Sequence, residues 1–281
     1  MLKELNITKL ALEAIAEVSR KEELTEYYKS LILEAEENID YGYLDEALMK
    51  FDELIDFFPN IELVKLLKAL VLIMQKKHNQ SNESIMSIEI MELDTFESSY
   101  FYFIKGCNYF YTGNYKESLK NSDKAVVYDK KFYLAFLIRG LANAESGNHK
   151  QAISDFNKAL KENFQKDAIK ANLAYSYLHN KNTFRAYLIY KRVAKKFSGN
   201  WKVQYNAGLS CFRLKKFNKA MEFLNRTEEL NPKFSGTYIT RGYIFLRQGL
   251  KYKTKEDWDK AKNLGENKRV EILMKRYYSK Y

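Results

Sequence analysis

The chain has 281 residues, 46% of them hydrophobic, with two prolines and two cysteines. That length and apolar content support a substantial core, the scarcity of proline favours uninterrupted helices, and the two cysteines, Cys107 and Cys211, far apart in sequence, show no disulfide framework or metal-ligand spacing. The formal net charge is +11, but residues 1–60 hold 15 Asp/Glu against 6 Lys/Arg, whereas residues 201–281 hold 19 Lys/Arg against 8 Asp/Glu.

Along the chain, residues 1–27 have helical apolar spacing (Leu2, Leu5, Leu10, Ala14, Val18) and read as an N-terminal helix. Charges interrupt this stretch, so it is no export signal. The most apolar run, residues 63–74, contains Lys65 and Lys68 and falls short of the ~18 uncharged apolar residues of a membrane span. A soluble, cytoplasmic protein without a membrane span is expected. Residues 28–98 carry two divergent helical pairs. In the first, Ala35, Ala47, Phe51, Leu54 and Pro59 mark the register. The second begins near residue 62 with Ala69, runs three residues long, and has a polar stretch at 78–84 that reads as an extended turn and a candidate hinge.

From residue 99 the pattern becomes regular. Small residues recur at a constant spacing of 34: Gly106, Gly140, Ala174, Gly208 and Gly242. If each stands at position 8 of a 34-residue unit, the units begin at 99, 133, 167, 201 and 235. Position 20 is then Ser118, Ala152, Ala186, Ala220 and Thr254, and position 24 is Ser122, Phe156, Tyr190, Leu224 and Trp258. Glycine inside a helix costs about 1 kcal/mol against alanine, so its return at one phase implies close helix packing. A period of 34 is that of stacked helix-turn-helix units. Residues 99–268 form five regular units, and residues 269–281 read as a terminal helix covering the open end of the stack.

This pattern of small and large residues resembles the tetratricopeptide repeat (TPR) family. The resemblance implies an all-α, right-handed superhelical TPR solenoid of about seven units with terminal helices. It also implies a concave groove lined by positions 2, 5, 6, 9, 12 and 13 of the first helices. The groove candidates are then Tyr100, Phe103 and Tyr111 in an aromatic early wall, followed by Asn172, Tyr175, Lys202, Tyr205, Asn206, Arg213 and Arg247. Asparagine amides at position 6 suit a peptide backbone, because they both donate and accept. Of the family's five-residue carboxylate clamp, Asn172 and Lys202 match, while Leu137 and Leu141 replace the first pair and Asn206 stands where arginine belongs.

No catalytic constellation is present: there is no HExxH, phosphate loop, dinucleotide-binding glycine motif or nucleophile elbow. The three histidines, His78, His149 and His179, are scattered. No catalytic residue, metal site or cofactor is therefore expected. The leading expectation is a non-enzymatic scaffold that holds a protein or peptide segment in the groove. The alternatives are binding of nucleic acid or another acidic partner through the basic C-terminal units, or self-assembly of the acidic end of one copy on the basic end of another.

Overall fold

The computed structural model describes residues 26–57, 62–90, 93–162 and 164–278. The helix expected over residues 1–27 lies almost wholly outside these residues, as does Pro59. Among the described residues the regular structure is helical, in fifteen helices. They are α1 (Glu26–Tyr41), α2 (Leu44–Phe57), α3 (Glu62–Met74), α4 (His78–Met86), α5 (Thr95–Tyr111), α6 (Tyr115–Tyr128), α7 (Tyr133–Glu145), α8 (His149–Ala159), α9 (Lys166–His179), α10 (Thr183–Lys196), α11 (Trp201–Arg213), α12 (Phe217–Leu230), α13 (Ser235–Arg247), α14 (Lys251–Asn263) and α15 (Asn267–Tyr278). The chain divides into two compact units, one built from α1–α8 and the other from α9–α15. In each, α-helices pair into hairpins and each hairpin packs on the next.

The hairpin turn repeats with the sequence period. One residue takes the left-handed conformation, with φ between 58° and 84°: Gly42, Lys76, Gly113, Gly147, Lys181, Lys215 and Gly249. Each stands at position 15 of its unit. The following N–H returns to the carbonyl five residues back at 2.7–2.9 Å, as in Tyr43 to Asn38, Asn148 to Asn143 and Lys216 to Cys211. This closure satisfies carbonyls left open at the end of the first helix.

The small residues act through contact with position 24. A Cβ on Gly140 would come within 2.9 Å of the Phe156 ring, and one on Gly208 within 3.1 Å of Leu224. On Gly242 it would collide with the Trp258 indole. At Gly106 the neighbour is only the Ser122 hydroxyl, at 2.9 Å, while Ser118 Oγ donates to the Gly106 carbonyl. Ala152, Ala174, Ala186 and Ala220 are fully buried.

The second helical pair departs from the expectation. Residues 78–84 are not an extended turn; they begin α4, and the turn before them is regular, with Lys76 left-handed. Ser81 is fully buried at position 20, where a small residue belongs. The surplus residues lie after α4, between Met86 and Thr95. Asp94 then starts α5 with a reciprocal capping box: its side chain accepts from the Glu97 N–H at 2.7 Å, and Glu97 accepts from the Asp94 N–H at 2.9 Å.

Two arginines, Arg139 half-buried and Arg241 buried, tie neighbouring hairpins together. Arg139 on α7 makes a bidentate pair with Asp155 on α8 (3.1 and 2.7 Å) and reaches back to Asp123 on α6 at 2.7 Å. Arg241 on α13 repeats this with Asp257 on α14 (2.7 and 2.8 Å) and Asn225 on α12 at 2.9 Å, adding Glu228. The two sets occupy identical register positions, three periods apart.

Candidate protein-interaction face

The first helices of the hairpins present the face on which the sequence placed its candidates, and burial sorts them. Tyr100 and Phe103 on α5 are 1% and 0% exposed. They pack into an aromatic cluster with Phe132, whose ring centroid lies 4.7 Å from that of Tyr100 and 5.2 Å from that of Phe103. Asn172 on α9 is also fully buried, and Asn206 on α11 is buried at 8% exposure. An accessible asparagine ladder is therefore not what the structure holds. Tyr100, Phe103 and Asn172, at positions 2, 5 and 6, are therefore buried packing residues.

The remaining candidates reach the surface. Tyr111 is half-buried, and burial of its hydroxyl pushes its pKa well up. Tyr175 is half-buried against His179, with ring centroids 4.3 Å apart. The Tyr205 ring meets Phe234 edge-on at 4.7 Å. Lys202 lies 5.6 Å over the Trp201 ring. Arg213 is exposed but donates to the Leu178 carbonyl at 2.8 Å, which fixes its direction. Arg247 is exposed at the end of α13.

Within the α9–α15 unit, Arg247 borders a cleft of about 410 Å³ lined by Phe212, Tyr243, Leu246 and Tyr277. Phe212 comes from α11, Tyr243 and Leu246 from α13, and Tyr277 from the last helix. Phe212, Tyr243, Leu246 and Arg247 stand at register positions 12, 9, 12 and 13. The Tyr243 ring contacts Phe212 at 6.2 Å and Tyr277 edge-on at 6.3 Å. Beneath them Trp258 is fully buried, with Val270 and Leu273 of α15 in the same cluster. Burial raises the Tyr243 pKa, as does neighbouring Tyr277; Arg269 and Arg276 oppose the shift. The result is an apolar, aromatic hollow edged by cations. Tyr277 was missed in the sequence because it lies beyond the last repeat, where the register assigns no role.

Cys107 and Cys211 are buried, and burial pushes both thiols up, away from the reactive thiolate. Among the described residues no group of three His, Cys, Asp or Glu side chains could hold a metal ion. No helix among them is long and apolar enough to cross a membrane.

Family models described as tetratricopeptide repeat match residues 105–168 and 202–234. The chain carries tetratricopeptide repeats. Its fold is shared with a TPR protein of Parabacteroides merdae (19% identity, 89% of this chain and 98% of that one, TM-score 0.53). It is shared also with MamA from Desulfovibrio magneticus RS-1 (17% identity, 62% of this chain and 98% of that one, TM-score 0.55). No curated protein matches the sequence. TPR hairpins serve as platforms for protein interaction.

Proposed function

We propose that the protein is a non-enzymatic scaffold that holds a segment of a partner protein against the first-helix face of the α9–α15 unit. The observation carrying this reading is the cleft of Phe212, Tyr243, Leu246, Arg247 and Tyr277, which joins an apolar floor to a cationic edge. The floor accepts a bulky apolar side chain, since aromatic walls give large contact area at low entropic cost. Arg247 meets a carboxylate beside it, and a guanidinium can do so with two hydrogen bonds. Lys202, Tyr205, Arg213 and Tyr175 extend the contact surface along α11 and α9. Affinity capture with the full chain tests this against Arg247→Glu/Tyr277→Ser. The partner is expected to disappear from the variant's captured proteins while the melting temperature stays within a few degrees. Equal capture by both proteins would overturn the assignment.

A second reading rests on the opposed charge of residues 1–60 and 201–281: the acidic end of one copy docks on the basic end of another. Such a head-to-tail contact grows with falling ionic strength. Light scattering at low and high salt decides it, and a monomer at both would end it.

A further inference from the structure

The hairpin turns of the α9–α15 unit form an edge unlike that of the α1–α8 unit. Segments 179–188, 213–221 and 247–255 span its three turns and the starts of the helices that follow. They contain ten Lys and Arg residues and no Asp or Glu, although the exposed Glu222 and Glu256 follow directly at position 22. The same register positions of the other unit, residues 40–48, 74–82, 111–119 and 145–153, contain four cations and five acids. The basic residues recur in register: Lys181 and Lys215 at position 15, then Arg185, Lys219 and Lys253 at position 19. Among the described residues Lys215, Lys219, Lys253 and Lys255 make no ion pair with a carboxylate. Bulky apolar side chains project between the cations. Tyr252 is 82% exposed and Phe184 is 60% exposed, both at position 18, with Leu188 and Leu250 exposed beside them.

We infer that this edge is a docking surface for an anionic lipid bilayer. Clustered lysines concentrate at a negatively charged membrane surface within a Debye length. Interleaved aromatic and leucine side chains enter the boundary between headgroups and acyl chains. Two features favour lipid over nucleic acid. Leu188 and Leu250 have no ring to stack on a base, and stacking is what single-strand binders use. Lysine outnumbers arginine seven to three among the ten cations, which suits diffuse charge rather than bidentate phosphate recognition. Successive hairpins set equivalent positions side by side, with helices packed at ~8–10 Å, so the edge presents a row rather than a point. Apart from Arg213 and Arg247, which end α11 and α13 and border the cleft face, the surface uses turns and second-helix starts.

The test is flotation of the full chain with vesicles of phosphatidylcholine alone or with about one-third phosphatidylserine, the anionic lipid on which polybasic segments act. Binding is expected to the anionic vesicles only, and to fall steeply with added salt. Lys215→Glu/Lys219→Glu/Lys253→Glu should lower the partition coefficient by on the order of 100-fold or more, at roughly five-fold or more per lost cation. Phe184→Ser/Tyr252→Ser should lower it several-fold at unchanged net charge. Tyr252→Trp should show a blue-shifted emission on anionic vesicles. Circular dichroism melts establish that each variant is folded. Failure of the parent protein to float with anionic vesicles would overturn the proposal, as would salt-sensitive binding to a single-stranded oligonucleotide in place of lipid. If the charge-reversal variant bound like the parent, the basic edge would not be the site; if Phe184→Ser/Tyr252→Ser left partition unchanged, side-chain insertion would be refuted.

Discussion

In the α1–α8 unit the left-handed residue of the hairpin turn is glycine in three hairpins of four: Gly42, Gly113 and Gly147. In the α9–α15 unit it is lysine in two of three, Lys181 and Lys215, with Gly249 in the last. The backbone closure is the same in both, but a lysine held at φ near 60° meets a steric penalty that glycine avoids. The same unit concentrates cations on either side of that residue. The comparison teaches that the repeat dictates the turn's geometry while leaving its surface chemistry open. The α9–α15 unit keeps charge where the other keeps conformational ease.

The largest expected effect lies inside the hairpins rather than at their turns. Arg241 is 8% exposed and bound by Asp257, itself 3% exposed. Removing it as Arg241→Met leaves a buried carboxylate without its cation and should cost about 3–5 kcal/mol in urea unfolding. Arg139→Met should cost less, because the Arg139 side chain is 17% exposed and its second carboxylate, Asp123, is 62% exposed. Equal losses would break the distinction between the two units. The double change Arg241→Met/Asp257→Leu should recover much of the loss, since the stranded charge is then gone.

Gly242→Ala comes next, at roughly 1–3 kcal/mol, because its methyl group meets the rigid, fully buried Trp258. Gly106→Ala should cost far less, as the small Ser122 side chain can rotate away and alanine gains about 1 kcal/mol of helix propensity. A calorimetric melt of each variant checks the order. Smaller still, Lys215→Gly should stabilise by about 0.5–1 kcal/mol, by relief of the left-handed strain net of glycine's greater freedom when unfolded. Gly147→Lys should destabilise by a similar amount. A destabilised Lys215→Gly would mean that the lysine side chain makes a compensating contact.

The mildest effect is a dependence on pH. Burial acts to raise the Glu228 pKa, but the hydrogen bond and charge of Arg241, with Lys260 nearby, carry it below its ordinary value. A carboxylate depressed in the folded state contributes stability that is complete above its unfolded pKa and lost as pH falls through its folded one. Melts between about pH 7 and pH 3 should therefore show a shallower acid loss for Glu228→Gln than for the parent protein. Identical slopes would leave Glu228 with no part in the coupling.

The helical stack was legible because its determinants are local and periodic. Gly140 and Phe156 sit 16 residues apart in one hairpin, and the spacing recurs. Ser81 and Ser84 within the 78–84 stretch have the look of a turn, because polar small residues resemble turn chemistry when their burial is unknown. Ser81 is small for the same reason as Ala152. The groove was less legible. Position 6 has the look of a surface position on its own helix, yet Asn172 is fully buried. Arg139 and Arg241 escaped notice because their partners lie in two helices, and pairing across hairpins leaves no short-range signature. Tyr277 lay outside the repeat altogether.

The arginine networks bear on how the array comes apart. A chain of hairpins behaves as a linear lattice, in which each hairpin's survival depends on coupling to its neighbours. Arg139 couples the α5–α6 hairpin to α7–α8, and Arg241 couples α11–α12 to α13–α14. These two seams should open last, with the slowest native-state amide exchange in α6–α7 and α12–α13. Partial unfolding would then leave two protected islands, each pinned by one guanidinium, instead of fraying evenly from the ends.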